Sequence, residues 1–254
     1  MGTIAVFNPR PGAGKTTTAV NLLAAIGGRG KRPWGVDLDP GARLSSLFDV
    51  APTRVDESMA ALFARNATLA DVAHITRSGV VVCPGHPDLA TLVPTLGKGL
   101  NVLTRVRHAL RQPGAVTGPV VIDCPSTLDT LALNGLLACD LLLVPVSCDL
   151  AGIRGAGATG RALGAFESLI GFRLPRKYVL TRYDNSTTAA EVLERLRATV
   201  GEEDICATRI RFDPALATGT LDLEALRSAT ISGEDYARLA DELVEGSGPN
   251  GWRM

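Results

Sequence analysis

The chain has 254 residues, 46% of them hydrophobic and 20% charged, which suffices for a full buried core and excludes an intrinsically disordered chain. Its 26 basic side chains balance 26 acidic ones, so affinity for DNA or for a membrane surface has to come from a local patch and not from net charge. Five cysteines, at positions 83, 124, 139, 148 and 206, are odd in number and form no C-x-x-C pair, which predicts buried free thiols in a reducing compartment.

The first element is a short apolar strand, Thr3 to Phe7. Asn8 and Pro9 interrupt it before a secretory leader could form, and no apolar run reaches the ~18 residues of a membrane span, so a cytoplasmic protein is expected. The loop Asn8-Pro9-Arg10-Pro11-Gly12-Ala13-Gly14-Lys15-Thr16-Thr17 follows. After it, Ala19, Leu22, Leu23 and Ile26 recur at helical spacing, and Gly27 to Gly30 end that helix. A strand, a glycine-containing loop and Lys-Thr at a helix start form a phosphate cradle. The free N–H groups and the positive dipole end favour an anion, and Gly12 and Gly14 permit close backbone approach. Lys15 is placed to reach the β- and γ-phosphates, and the Thr16 hydroxyl to ligate Mg²⁺.

The ordinary loop, G-x-x-x-x-G-K-S/T, needs a glycine where Pro9 stands. The stretch instead resembles the deviant Walker A loop, K-G-G-x-G-K-T-S/T, of the ParA/MinD family of ATPases. Gly12, Gly14, Lys15, Thr16 and Thr17 match that pattern, and the resemblance sets Gly12, Ala13, Gly14, Lys15, Thr16 and Thr17 around the nucleotide. Arg10 stands at the family's signature lysine, which reaches across a dimer to the partner's nucleotide, and Pro11 replaces a glycine. Arginine keeps the charge and binds phosphate bidentately, but its planar fork is larger than an ammonium. Pro11 removes one N–H donor from the loop.

Further along, Val36-Asp37-Leu38-Asp39-Pro40 resembles the family's V-D-x-D-P-Q, with Gly41 in place of the glutamine. The resemblance assigns Asp39 to the switch that positions water or Mg²⁺ near the γ-phosphate, supported by Asp37. Between 41 and 78, Met59, Leu62 and Phe63 and then Leu69, Val72 and Ala73 suggest two helical patches. Gly79 to Cys83 is a β-branched run stopped by Pro84 and Gly85, as in a buried parallel strand. His74, His86 and His108 have no partners at metal-ligand spacing. Val102, Leu103, Val106, Ala109 and Leu110 predict an amphipathic helix with Arg105, Arg107 and Arg111 on its solvated face.

Val120 to Asp123 is an apolar strand ending in a carboxylate, the Walker B arrangement that holds Mg²⁺ through its water shell. Ile122-Asp123-Cys124-Pro125-Ser126 resembles the family's I-I-D-C-P-P; Cys124 reads as packing, since no neighbouring base or cation activates it. Leu131 to Leu137 and Asp140 to Val146 resemble the family's next helix and strand, and Tyr178 to Asp184 its L-T-M-Y-D run. Ala189, Val192, Leu193, Leu196 and Val200 predict a helix, and Ile205 to Ile210 a final strand. The resemblance then lays Arg211 and Phe212 over the adenine, although Arg211-Phe212-Asp213-Pro214 departs from the family's I-P-R-N. Ser232-Gly233-Glu234-Asp235 reads as a capping box for a last helix that buries Tyr236, Leu239, Ala240, Leu243 and Val244, before a loose tail at 246–254.

No composition break divides the chain, so one α/β domain over 1–254 is expected: a doubly wound, mostly parallel sheet with helices on both faces, a P-loop NTPase. The resemblance implies an ATPase that uses ATP and Mg²⁺ and forms an ATP-dependent homodimer. It implies non-specific DNA binding, nucleoid association in the ATP state, and hydrolysis stimulated by a cargo-adaptor protein. The cargo would be a plasmid, a chromosome or a protein assembly such as a carboxysome. Arg173, Arg176, Lys177, Arg195, Arg197, Arg209 and Arg211 are the candidate DNA contacts; read against Glu191, Glu194, Glu202, Glu203 and Asp204, they are equally a balanced, solvated surface. Arg10, Pro11 and Gly41 favour a second reading, a nucleotide-binding regulator or scaffold with little turnover. The acidic C-terminal segment argues against membrane attachment, and Thr181-Arg182-Tyr183-Asp184 is not the N-K-x-D of a GTPase.

Overall fold

The computed structural model describes residues 2–51, 54–64, 67–97, 99–214 and 230–245. The strands are β1 (Thr3–Val6), β2 (Trp34–Asp37), β3 (His74–Ile75), β4 (Val81–Cys83), β5 (Val120–Asp123), β6 (Leu141–Ser147) and β7 (Arg176–Thr181). They form one sheet in the order β3-β4-β2-β5-β1-β6-β7, parallel throughout except for the edge strand β3. Every residue of β1, β2, β5 and β6 is buried, as a parallel sheet covered on both faces requires.

The period-2 alternation of the strands feeds two separate cores. Ile4 and Val6 face one, with Leu22, Leu23, Tyr236 and Leu239; Ala5 and Phe7 face the other, with Phe63, Leu136 and Leu163. The first core is closed by α1 (Lys15–Gly27) and α10 (Ile231–Glu245), joined by the Thr18 and Tyr236 hydroxyls at 3.2 Å. The second is covered by α3 (Met59–Ala64), α7 (Thr130–Ala138), α8 (Leu150–Ile170) and α9 (Thr187–Val200). Short helices α2 (Arg43–Leu47), α4 (Leu89–Thr95), α5 (Leu100–Leu103) and α6 (Arg105–Leu110) lie in the connections. Among the described residues, no helix is long and apolar enough to cross a membrane. All five cysteines are free thiols, four of them buried.

Four local expectations are corrected. The patch at Leu69, Val72 and Ala73 is not helical: Asp71 accepts hydrogen bonds from the Thr68 N–H and hydroxyl, which holds a turn that leads into β3. The helix around 102–110 breaks at Thr104, and two of its arginines are not on a solvated face, since Arg105 donates to the Phe63 carbonyl and Arg107 to that of Leu137. Residues 205–210 run beside β7 and donate to it from Cys206 and Ile210, to the Tyr178 and Leu180 carbonyls at 2.8 Å each, but form no continuous ladder, because the Thr208 N–H between them turns away to the Glu242 carboxylate on α10, at 2.8 Å. The cap of α10 is Thr230, whose hydroxyl accepts from the Gly233 N–H; Ser232 lies inside the helix and donates to Asp213. The tail at 246–254 and the Val244 side chain lie outside the described residues.

Candidate nucleotide site

The glycine loop leaves the carboxyl end of β1, in the middle of the sheet, and is flanked by the ends of β5 and β6. Ligands of open α/β sheets bind at this edge. Gly12 and Gly14 have φ of +74° and +90°, a backbone that L side chains rarely adopt. Lys15 opens α1, and its ammonium folds back over the loop to the Arg10 carbonyl, 3.2 Å away. The side chain is buried, and desolvation lowers its pKa against the opposing pull of Asp123 and Asp39. Ala13 is buried beneath the loop, and Thr16 and Thr17 are half-buried in the first turn of α1.

Asp123, at the end of β5, is fully buried, and neither of its carboxylate oxygens has a hydrogen-bond partner among the described residues. Burial pushes its carboxyl well above the usual range and neighbouring Asp37 pushes it further, while Thr16 and Lys15 pull it back. A buried, unpaired carboxylate is costly until a cation or donor meets it. Among the described residues, no three His, Cys, Asp or Glu side chains are placed to hold a metal ion by themselves. Asp123 and the Thr16 hydroxyl therefore suit a Mg²⁺ ion that takes its other oxygens from phosphate and water.

Asp37 pairs with Asp123 across the β2–β5 register and is equally buried, yet it is fully bonded. It accepts from the Asp39 N–H, the Ser45 N–H and the Ser45 hydroxyl. Burial still raises its pKa to about 6 against those bonds. Asp39 stands at the rim, half-buried, with one carboxylate oxygen accepting from the Gly41 N–H at 2.8 Å.

Arg10 is turned onto its own chain. Its guanidinium donates to the Ser147 hydroxyl at 2.8 Å and lies 3.4 Å from Asp149, the N-cap of α8. Arg182, at the positive φ of +55°, approaches the other oxygen of Asp149 to 3.8 Å. Partial burial opposes ionisation of Asp149, but the Gly152 N–H and Arg10 hold its carboxyl below the usual range. Neither Ser147 nor Asp149 belongs to the motifs legible in the sequence, and Arg182 lies in the Tyr178 to Asp184 run without a role assigned there.

Arg211 is engaged elsewhere: it makes a bidentate pair with Asp235 on α10, both bonds at 2.9 Å, and also reaches Glu234 and the Ile231 carbonyl. Phe212 beside it is 52% exposed. The loop has another neighbour that sequence reasoning missed. Thr181, at the end of β7, keeps a buried hydroxyl without a partner among the described residues, 3.7 Å from where a side chain on Gly14 would begin. The signal for it was its place at the carboxyl end of a parallel strand.

Five of the seven candidate DNA cations pair with carboxylates, and the other two meet uncharged groups. Arg173 pairs with Asp204, Arg176 with Glu167, Arg195 with Glu191, Arg197 with Glu194 and Glu202, and Arg211 with Asp235. Lys177 donates to the Glu203 carbonyl, and Arg209 stacks 4.8 Å over the Tyr183 ring while bonding its hydroxyl.

A family model described as an AAA domain matches residues 1–168. The chain is 31% identical to the chromosome partitioning protein ParA of Caulobacter vibrioides over 95% of this chain and 93% of that one. It is 32% identical to the chromosome-partitioning ATPase Soj of Thermus thermophilus over 95% and 94%. Among solved structures, cobyrinic acid a,c-diamide synthase from Mycobacterium smegmatis, with bound ADP and magnesium, superposes with a TM-score of 0.83 at 25% identity, covering 100% of this chain and 98% of that one.

Proposed function

The chain belongs to the ParA/MinD family of P-loop ATPases, and from that premise we propose that it is a positioning ATPase whose ATP-bound dimer binds DNA without sequence preference and segregates a cargo. The observation that supports this reading best is the placement, at one sheet edge, of the desolvated Lys15 ammonium near an Asp123 carboxylate that has no hydrogen-bond partner among the described residues. Each lacks the counter-group that a Mg²⁺-nucleotide brings.

In this reading the N–H groups of Gly12 to Thr17 and the Lys15 ammonium bind the phosphates, and Thr16 with Asp123 holds Mg²⁺. When bound, Mg²⁺ neutralises the charge that builds on the phosphate oxygens. Asp39 orients the attacking water. Arg10 releases Ser147 and Asp149 and reaches the nucleotide of the partner subunit. Arg211 and Phe212 border the base, Arg211 from its seat on Asp235, and the whole chain acts as one domain. The relatives named for chromosome partitioning make replicon DNA the favoured cargo over a protein assembly such as a carboxysome, with a cargo-adaptor protein stimulating hydrolysis. The Arg10–Asp149 contact favours a second reading, a nucleotide-binding regulator with little turnover, if Arg10 stays in cis.

The test is binding to random-sequence duplex DNA at moderate salt with ATP, with ADP and without nucleotide, beside Lys15→Ala. ATP-dependent binding that is lost in the variant and at high salt is the expected result. ATP bound with no DNA binding in any state overturns the positioning reading and leaves the regulator.

A further inference from the structure

One buried hydroxyl ties together three segments that are separate in sequence. Ser45, on α2, is fully buried. Its hydroxyl donates to Asp37 at 2.6 Å, at the end of β2, and accepts at 3.0 Å from the N–H of Gly85, just past β4. Its own N–H also donates to Asp37, at 3.0 Å. The carboxylate so clamped uses its other oxygen to accept from the Asp39 N–H at 3.1 Å. On the far side of the same turn, Gly85 packs so closely that a Cβ there would stand 2.7 Å from the Asp39 carbonyl and 3.1 Å from the Asp37 carboxyl carbon. The Asp39 backbone is therefore held by hydrogen bonds at its N–H, to Asp37, and at its carbonyl, from the Ala42 N–H at 2.9 Å, with Gly85 leaving no room for a side chain beside that carbonyl; Ser45 joins Asp37 to Gly85.

We propose that Ser45 is a positioning residue for the switch aspartate Asp39, acting through Asp37, and that Gly85 is the backbone surface against which that turn is set. This rests on the assignment of Asp39 to the hydrolytic step. Ser45 is fully buried, and neither it nor Gly85 belongs to the glycine loop. Their effect falls on turnover and not on ATP affinity, because the phosphate-binding groups belong to a different loop, Gly12 to Thr17. A displacement of the order of 1 Å in a group that orients a reactant costs about 100-fold in rate.

The experiment uses the full chain and measures single-turnover ATP hydrolysis per bound nucleotide together with the Kd for ATP. Four chains are compared: unaltered, Ser45→Ala, Gly85→Ala and Asp39→Ala. Ser45→Ala and Gly85→Ala are expected to slow hydrolysis on the order of 10- to 100-fold while the Kd changes less than about threefold. A general loss of structure would instead lower the bound fraction, and Ser45→Thr, which restores the hydroxyl, recovers rate only if the hydrogen bonds are the cause. Should Ser45→Ala fail to fold, Gly85→Ala carries the same test with the Ser45–Asp37 pair in place. Hydrolysis within twofold of the unaltered chain in both variants, with Asp39→Ala inactive, overturns the inference and leaves the role of Asp39 standing. Undiminished hydrolysis in Asp39→Ala overturns that role and the inference with it.

Discussion

Asp37 and Asp123 lie opposite one another at the ends of adjacent parallel strands, both fully buried, and the fold treats them oppositely: Asp37 accepts three hydrogen bonds, whereas Asp123 accepts none. Asp37 directs its bonds to the Asp39 turn and to Ser45. Asp123, its carboxyl raised by burial, has no donor among the described residues to offset its desolvation, at an energetic cost to the ligand-free fold.

That cost predicts a trade in Asp123→Asn. Removing an unpaired buried carboxylate should leave the thermal midpoint of the ligand-free protein unchanged or raise it. The same change should abolish the extra stabilisation given by Mg²⁺-ATP over ATP with chelator. Thermal scans in the three conditions measure both effects. A lowered ligand-free midpoint with the Mg²⁺ increment intact would show that Asp123 serves the core and not the ion.

Stability of the ligand-free protein should fall as pH rises from about 4.5 to 7. The pKa of Asp37 in the fold is about 6, above the ordinary value of 3.8, and that of Asp123 is raised as well, so the folded chain binds more protons than the unfolded one in this window. A group of this kind contributes stability that is complete below its unfolded pKa and is lost as pH passes its folded pKa. Denaturant midpoints across the window, repeated in Asp37→Asn, test the assignment. The slope should flatten in the variant, and an unchanged slope would place the titration elsewhere.

Asp149→Asn should ease dimer formation. Asparagine still caps α8, so the Gly152 N–H keeps its acceptor, but the charge that holds Arg10 and Arg182 is gone. With ATP, the variant should dimerise at lower protein concentration than the unaltered chain, and adding Arg10→Ala should cancel the gain. Sedimentation with and without ATP reads this. A dimer that forms less readily in Asp149→Asn would mean that the carboxylate serves the dimer and not the monomer.

Thr230→Ala should destabilise the protein by about 1 kcal/mol through loss of the N-cap of α10, read as a shift in urea midpoint at constant slope. The helix packs on α1 behind the glycine loop, so nucleotide affinity should hold once the protein is folded. An unchanged midpoint would locate the start of α10 away from Thr230.

What could be read along the chain was whatever a contiguous stretch encodes. Gly12-Ala13-Gly14-Lys15-Thr16 needs no partner to specify a left-handed loop and an exposed helix start, and Val120 to Asp123 carries its own strand and its own carboxylate. The alternation of strands with amphipathic helices likewise implied the parallel sheet, because the period of burial is a property of each segment alone. The failures have the opposite character. Residues 205–210 have strand composition, yet Glu242, more than thirty positions on, takes the Thr208 N–H that a strand would spend on β7 between its Cys206 and Ile210 bonds. Leu69 and Val72 are buried as a helix would bury them, from a turn that Asp71 closes.

The side-chain constellation around the loop belongs wholly to tertiary structure. That Arg10 meets Ser147 and Asp149, that Thr181 faces Gly14, and that Ser45 joins Asp37 to Gly85 all depend on which strand ends the sheet order brings together. The sequence by itself determined the phosphate loop, the Walker B carboxylate and the layered α/β plan, since those follow from local backbone freedom and hydrophobic period. Only the packed sheet decided which charges are paired and which are left bare, because pairing depends on distances across strands that no sequence spacing records.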